Sequence, residues 1–212
     1  MIEIVSHSEA QTRRLAVRLA SRLRPGDVIA LTGPLGAGKT CFVRGLAEGL
    51  GLDPADVSSP TFIMCQEYEP AEGQGGALLV HVDGYRLMSE DELATIGWEE
   101  YLEARDAIIA VEWADRLGEA LPEERLQIEM SHVDAQSRRL CFSAPDSLTD
   151  RLTGLAETDA ARSLPCPICG KAVDDDAPTF PFCSPRCHLV DLGRWFTGGY
   201  GTTRPLSEED DV

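Results

Sequence analysis

The stretch Gly33-Pro34-Leu35-Gly36-Ala37-Gly38-Lys39-Thr40 fits the spacing G-x-x-x-x-G-K-[ST] and constrains the fold of this chain more than any other segment. Such a run works as a turn between a strand and a helix. Its glycines let successive backbone N–H groups wrap a phosphate chain, its lysine reaches the outer phosphates, and its hydroxyl holds a divalent ion. The flanks agree with that role. Val28-Ile29-Ala30-Leu31 reads as a short buried strand, and Cys41-Phe42-Val43-Arg44-Gly45-Leu46-Ala47 opens a helix whose N-terminus faces an anion. A glycine-rich turn with a chance Lys-Thr is the plain alternative, and the strand–loop–helix context disfavours it. Gly33, Leu35, Gly36, Ala37, Gly38, Lys39, Thr40 and Cys41 are the candidate nucleotide-binding residues, for ATP or ADP with Mg²⁺.

Around this loop the pattern predicts an α/β domain, a P-loop NTPase-like mixed sheet flanked by helices, over residues 1–145. Ser8-Glu9-Ala10-Gln11 has the form of a helix-capping box, followed by an apolar stripe at Ala10, Leu15, Ala16, Leu19, Ala20 and Leu23. Further strands are expected at 61–68, 77–83, 107–111, 126–130 and 139–142, with a helix over 89–103. Residues 146–164 read as a linker with a short helix near 150–157, and a separate module begins at Pro165.

Two acids stand at predicted strand ends, Asp83 and Glu112, where a carboxylate can join the loop hydroxyl on a nucleotide-bound Mg²⁺. At least one of them is expected to touch the ion or its water. Thr61, after the loop's helix, is either a residue that senses the terminal phosphate or part of an ordinary Pro60 turn. Arg138 is either near the nucleotide or an exposed hairpin arginine.

In chain order, Gly33 to Thr40, Ser59-Pro60-Thr61-Phe62, His81-Val82-Asp83-Gly84-Tyr85-Arg86-Leu87, Val111-Glu112-Trp113 and Leu121-Pro122-Glu123 resemble the TsaE family. These are the ATPases of bacterial threonylcarbamoyladenosine tRNA modification. The resemblance covers residues 1–145. It implies Mg²⁺-dependent ATP hydrolysis in support of a TsaD–TsaB complex that modifies adenosine 37 of tRNA, with slow turnover alone. It also implies roles: Lys39 on phosphate, Thr40 on Mg²⁺, Glu112 as second metal ligand, Asp83 as a water-positioning or metal-linked acid, and Thr61 as a switch. Trp113 either serves the partner surface or packs. Gly84 departs from the bulkier residue the family carries, which would loosen the following turn.

Of seven cysteines, Cys41, Cys65 and Cys141 are isolated, whereas Cys166-x2-Cys169 and Cys183-x3-Cys187 cluster near the C-terminus. Four thiolates at that spacing suit a closed, structural tetrahedral Zn²⁺ site. His188 could stand in for Cys187, and a redox dithiol is the other alternative. A segment of ~50 residues rarely folds without such a staple. The expectation is a small zinc-ribbon-like module over 165–212. Cys166-Pro167-Ile168-Cys169-Gly170-Lys171, Pro181-Phe182-Cys183-Ser184-Pro185-Arg186-Cys187 and Asp191-Leu192-Gly193-Arg194-Trp195 resemble the YacG family, small zinc proteins that bind the GyrB subunit of DNA gyrase and inhibit it. Phe180 replaces the family's arginine. The acidic tail 207–211 reads as a solvated segment.

The net charge of −17 makes direct nucleic-acid binding a poor fit, so contact with RNA or DNA is expected only through a protein partner. No apolar run approaches the ~20 residues of a membrane span, and the start lacks a basic leader. The expected setting is soluble and cytoplasmic. A small-molecule P-loop kinase and a non-enzymatic, nucleotide-dependent binding protein are the competing functions.

Overall fold

Period-two alternation in the first buried strand sends Ile29 and Leu31 to one face of a sheet and Val28 and Ala30 to the other, and each pair joins a different apolar cluster. The computed structural model describes residues 1–70, 76–87, 90–155, 163–174, 177 and 179–196. The chain divides into two compact units, Met1–Thr158 and Asp159–Val212. The elements of the first are β1 (Ile2–Ser6), α1 (Glu9–Ala20), β2 (Val28–Thr32), α2 (Lys39–Gly49), β3 (Cys65–Tyr68), β4 (Leu78–Asp83), α3 (Glu90–Thr95), α4 (Trp98–Ala104), β5 (Ala107–Glu112), β6 (Leu126–His132) and β7 (Arg138–Ser143). They build a seven-stranded sheet in the order β1-β7-β6-β2-β5-β4-β3. The central pairs β6/β2, β2/β5 and β5/β4 are parallel, and β7, β1 and β3 are antiparallel additions at the two sides. The mixed sheet flanked by helices is the predicted fold class.

α1 and α2 cover one face, over Leu15, Leu19, Ile29, Leu31, Phe42, Leu46, Ile128 and Phe142. Fully burying a side chain such as Phe42 contributes about 1.5–3 kcal/mol. Small residues set the distance between the two helices. A Cβ on Gly45 would lie 2.5 Å from the Arg13 carbonyl oxygen and 2.6 Å from the Ala16 methyl. The opposite face holds Val80, Val82, Ile109 and Val111 under Leu93, Trp98 and Leu117. Ser8 caps α1 by accepting from Gln11 N–H at 3.1 Å, as its sequence predicts.

One strand lies where none was expected, and three local expectations shift. Ile2–Ser6 is a strand, paired with β7, although its short length at the chain start carries no periodicity that separates it from coil. The strand expected over 61–68 begins only at Cys65. Pro60 closes a turn that Met64 N–H completes at 2.6 Å to its carbonyl, with Met64 at φ 65°. The helix over 89–103 breaks into α3 and α4, because Gly97 takes φ 72°. The short helix near 150–157 is instead a 3-10 turn at Asp146–Leu152. Within the segment read as a linker, Leu152 and Leu155 bury into the α1–α2 core, and Arg151 reaches Asp27 at 2.7 Å with both side chains buried. Packing in the first unit thus runs past Pro145.

In the second unit, β8 (Ser163–Pro165) and β9 (Ala172–Asp174) pair antiparallel, and α5 spans Pro185–Phe196. The acidic tail lies outside the described residues. Among the described residues no helix is long and apolar enough to cross a membrane.

Candidate functional site

The parallel strands β2, β4 and β5 end together, and their carboxyl ends supply the site. Register places Glu112 beside Leu31 on one side and beside Asp83 on the other. From Thr32 the chain enters the glycine-rich turn. Gly33 adopts φ 136° and passes so close to β6 that a Cβ there would sit 2.1 Å from the Met130 carbonyl oxygen. Gly38, at φ 100°, starts α2 with no side-chain cap. The first-turn N–H groups of α2 therefore have no capping oxygen and line a cleft of about 390 Å³, within the range of small-ligand pockets. Leu35, Gly36, Ala37, Gly38, Lys39, Thr40 and Cys41 all border it, and Ser59, Thr61, Tyr85, Glu112 and Trp113 close its other side. Gly33 stands beneath, where its carbonyl accepts from Lys39.

Lys39 is buried, with Nζ 2.8 Å from the Gly33 carbonyl oxygen, 3.1 Å from that of Pro34, and 3.7 Å from the centre of the Trp113 ring. Burial lowers the pKa of its ammonium, opposed by the charges of Glu112, Asp83 and Asp115. Trp113 is held in place by its own left-handed backbone, φ 55°, directly after Glu112. Tyr85 packs against the Trp113 ring at 5.1 Å, and Arg116 lies 5.1 Å from the Tyr85 ring. Lys39, Trp113 and Tyr85 thus stand in contact along one edge of the cleft, with Arg116 against the Tyr85 ring outside the lining.

The two acids part company here. Glu112 lines the cleft, and its carboxylate accepts from His81 Nε2 at 2.9 Å. His81 is fully buried, and its Nδ1 has no partner among the described residues. Asp83 stands one hydrogen bond back. Its Oδ2 accepts from the Ser59 hydroxyl at 2.9 Å and the Thr61 hydroxyl at 2.6 Å, and its Oδ1 from Tyr85 N–H at 2.9 Å. The donor set facing the cleft, the Thr40 hydroxyl with the Glu112 carboxylate, is the oxygen chemistry a hard divalent ion requires. Cys41 has its thiol pushed up to about 12 by burial and by Glu9, so it borders the cleft as an inert side chain. Gly84 does not loosen its turn: its N–H donates to the Glu112 carbonyl at 2.8 Å, and a Cβ would meet Leu117 Cδ1 at 2.4 Å.

Sequence reading left His81, Ser59 and Tyr85 without roles and Trp113 undecided. For His81 the clue was period two. Leu79, His81 and Asp83 share a strand face, so a polar residue between a core leucine and an acid had to meet the neighbouring strand's Glu112.

In the second unit, Cys166, Cys169, Cys183 and Cys187 bring their sulfur atoms within 4.8 Å of one another. The Cys169–Cys183, Cys183–Cys187 and Cys187–Cys169 separations are 3.3, 3.6 and 3.9 Å. A tetrahedron with Zn–S of ~2.3 Å has edges of about 3.8 Å, so the donor set fits Zn²⁺. Burial opposes the Cys166 thiolate, but N–H groups of Cys183, Ile168 and Cys169 outweigh it and bring the thiol down to about 6. His188 is not in the cluster; its ring stacks on Phe182 at 5.2 Å.

A parallel-centred sheet with a phosphate-binding loop between its first parallel strand and the following helix defines a P-loop α/β protein. Residues 6–140 match the family model described as "Threonylcarbamoyl adenosine biosynthesis protein TsaE", and the chain belongs to that family. Residues 164–211 match the model of "DNA gyrase inhibitor YacG", so a YacG domain follows the TsaE domain. The chain is 42% identical over 134 residues to the TsaE protein of Bacillus subtilis, covering 63% of this chain and 80% of that protein. With TsaE of Streptomyces coelicolor it shares 45% identity over 122 residues, 57% of this chain and 79% of the relative. Among solved structures it is similar to YdiB of Bacillus subtilis, with TM-score 0.59 and 32% identity over 74% of this chain and 94% of YdiB.

Proposed function

We propose that the first unit hydrolyses ATP with Mg²⁺ and so supports threonylcarbamoyl transfer to adenosine 37 of tRNA, through a TsaD–TsaB-type partner complex. The second unit, holding Zn²⁺, is read as the gyrase-directed module, with the GyrB subunit as its partner. The observation that carries the first reading is the convergence of Lys39, Thr40, Glu112 and the Thr61–Asp83 pair on one cleft at the strand ends.

In this reading the loop N–H groups and Lys39 surround the β- and γ-phosphates. Lys39 exchanges the Gly33 and Pro34 carbonyls for phosphate oxygens and offsets charge on the transferring group. Thr40 and Glu112 are the residues that would hold Mg²⁺, which would supply positive charge to offset that of the phosphates. His81 fixes the Glu112 carboxylate by its hydrogen bond. Asp83 acts through Thr61: it accepts the Thr61 O–H, which leaves the hydroxyl oxygen to accept from a water placed for in-line attack on the γ-phosphorus. No arginine stands among the described residues bordering the cleft, which fits slow turnover until a partner docks.

The test is ATP hydrolysis by the full chain with and without the cognate TsaB–TsaD complex. Hydrolysis should rise on adding the complex. Lys39→Ala should lower it by at least about 100-fold, the scale of losing a donor aimed at developing charge. Full activity in that variant, or no Mg²⁺-dependent ATP or ADP uptake by the wild type, removes the assignment.

A further inference from the structure

Sulfur occupies two settings in this chain. Cys41, Cys65 and Cys141 stand singly and half-buried. Burial raises the Cys65 thiol, and burial with the charges of Glu3 and Glu129 raises that of Cys141, so both stay protonated and are poor nucleophiles. Cys166, Cys169, Cys183 and Cys187 share one ion in the zinc reading, and a metal-bound cysteine is a thiolate, the form that reacts with oxidants. Oxidisable sulfur is therefore concentrated in the second unit.

The four donors are not equivalent. Cys166 is 3% exposed, whereas Cys169 is exposed and Cys183 and Cys187 are half-buried. A small oxidant arriving from solvent meets the Cys169 sulfur first. Cys183 Sγ lies 3.3 Å from it, within the about 3–3.5 Å at which reacting atoms are poised. Cys187 Sγ is farther off, 3.6 Å from Cys183 and 3.9 Å from Cys169. Cys169 belongs to the turn between β8 and β9, where Gly170 N–H donates to the Cys166 carbonyl at 2.8 Å, and Cys183 precedes α5. Neither lies inside a helix or strand, so their backbones can close to the geometry of a disulfide, whereas Cys187 is fixed in the first turn of α5.

We propose that Cys169 is a modification site for hydrogen peroxide, oxidised first and resolved by Cys183, and that the resulting disulfide dismantles the metal site and unfolds the second unit. The proposal rests on the zinc reading above. The Cys169 thiolate attacks one peroxide oxygen: an S–O bond forms, the O–O bond breaks, and hydroxide leaves and takes up a proton to become water. Cys169 is then a sulfenic acid, oxidised by two electrons as the peroxide is reduced. The Cys183 thiolate attacks that sulfur: the S–S bond forms, the S–O bond breaks, and a second hydroxide leaves and becomes water. In sum, two thiolates, one hydrogen peroxide and two protons give one disulfide and two waters. Two of the four donors are then spent, and Cys166 with Cys187 cannot complete a tetrahedral set. Among the described residues of this unit only Cys166 and Val173 are buried apolar side chains, so the fold does not outlast its ion. A dithiol reductant exchanges with the disulfide, is itself oxidised, and returns both thiols.

The experiment treats the full, zinc-loaded chain with hydrogen peroxide, follows released zinc with a colour-forming chelator, and traps thiols at intervals by alkylation for peptide mass mapping. Zinc analysis before oxidation should give one ion per chain. Release should track disulfide formation one for one, the earliest disulfide should link Cys169 to Cys183, and Cys41, Cys65 and Cys141 should stay open to alkylation. The amide resonances of α5 should collapse while those of the first unit persist, and dithiothreitol with added zinc should restore them. Cys169→His keeps four ligands in a Cys₃His set that zinc accepts and removes the exposed thiolate. That variant should hold its zinc over the period in which the wild type loses its own; should it bind none, the earliest wild-type disulfide decides alone. Zinc retained by the wild type after the same peroxide has oxidised glutathione in the same tube, an earliest disulfide at another pair, or equal loss from Cys169→His overturns the proposal and leaves the zinc reading intact. A purified chain that carries no zinc and takes none up overturns both.

Discussion

The two units of this chain solve the problem of holding a binding site by opposite means. The first buries two apolar layers on a seven-stranded sheet, and its phosphate loop is braced from four sides by β6, α2, Trp113 and the β6–β7 hairpin. The second has, among its described side chains, only Cys166 and Val173 in the buried apolar class, and leaves Leu189, Val190 and Leu192 of α5 exposed. There the four thiolates take the place of a core. In the first unit the fold makes the site; in the second the site makes the fold.

That contrast can be broken most sharply by removing metal. Chelation should unfold residues 163–196 entirely, since zinc contributes about 10–16 kcal/mol of apparent energy in small modules of this kind. The amide resonances of the first unit should persist. Dispersed resonances for α5 after chelation would show that the second unit has a sufficient core of its own.

The first unit should instead lose stability in increments. Asp27→Ala removes the partner of Nε and Nη2 on the buried Arg151, leaving Asp150 on Nη1, and should cost about 3 kcal/mol in denaturant unfolding. A cost below about 1 kcal/mol would return the 146–155 segment to the status of a linker. Gly33→Ala meets the Met130 carbonyl oxygen and an unfavourable φ, and should cost about 2–4 kcal/mol while abolishing nucleotide uptake. Trp113→Leu removes the ring beside Lys39 and Tyr85 and should cost about 1–2 kcal/mol.

The smallest expected effect is on pH. N–H donation from Gln136 and Ser137 holds the Asp134 carboxyl below its ordinary 3.8. Its stabilising effect on the hairpin is complete above that unfolded value and disappears as pH falls through the depressed one. An NMR titration that places Asp134 above 3.8 would contradict the geometry of the hairpin from which Arg138 Nε donates to the Gly36 carbonyl.

Much of this was legible in the chain itself. The loop spacing, the capped α1, the doubly buried β5 and the paired cysteine motifs are local patterns, and each stands where its sequence puts it. Where reading faltered, a longer-range interaction had decided the outcome. Ile2–Ser6 becomes a strand only because β7 offers an edge, and Leu152 and Leu155 leave the coil because the α1–α2 core has room for them. Asp83 and Glu112 looked alike as acids at strand ends. Ser59 and Thr61 claim one, and the cleft takes the other.

The sequence by itself determined the parts whose geometry lies within a single turn or strand: a glycine-lined loop ending at Lys39 and Thr40, strands that alternate, and thiolates spaced for one ion. Covalent connectivity sets those distances, so residue order is enough to state them. The tertiary structure alone decided the strand order, which acid faces the cleft, that His81 holds Glu112, and that Arg138 reaches Gly36. Those contacts join residues far apart in the chain, and their closeness follows from the packing of whole layers against one another.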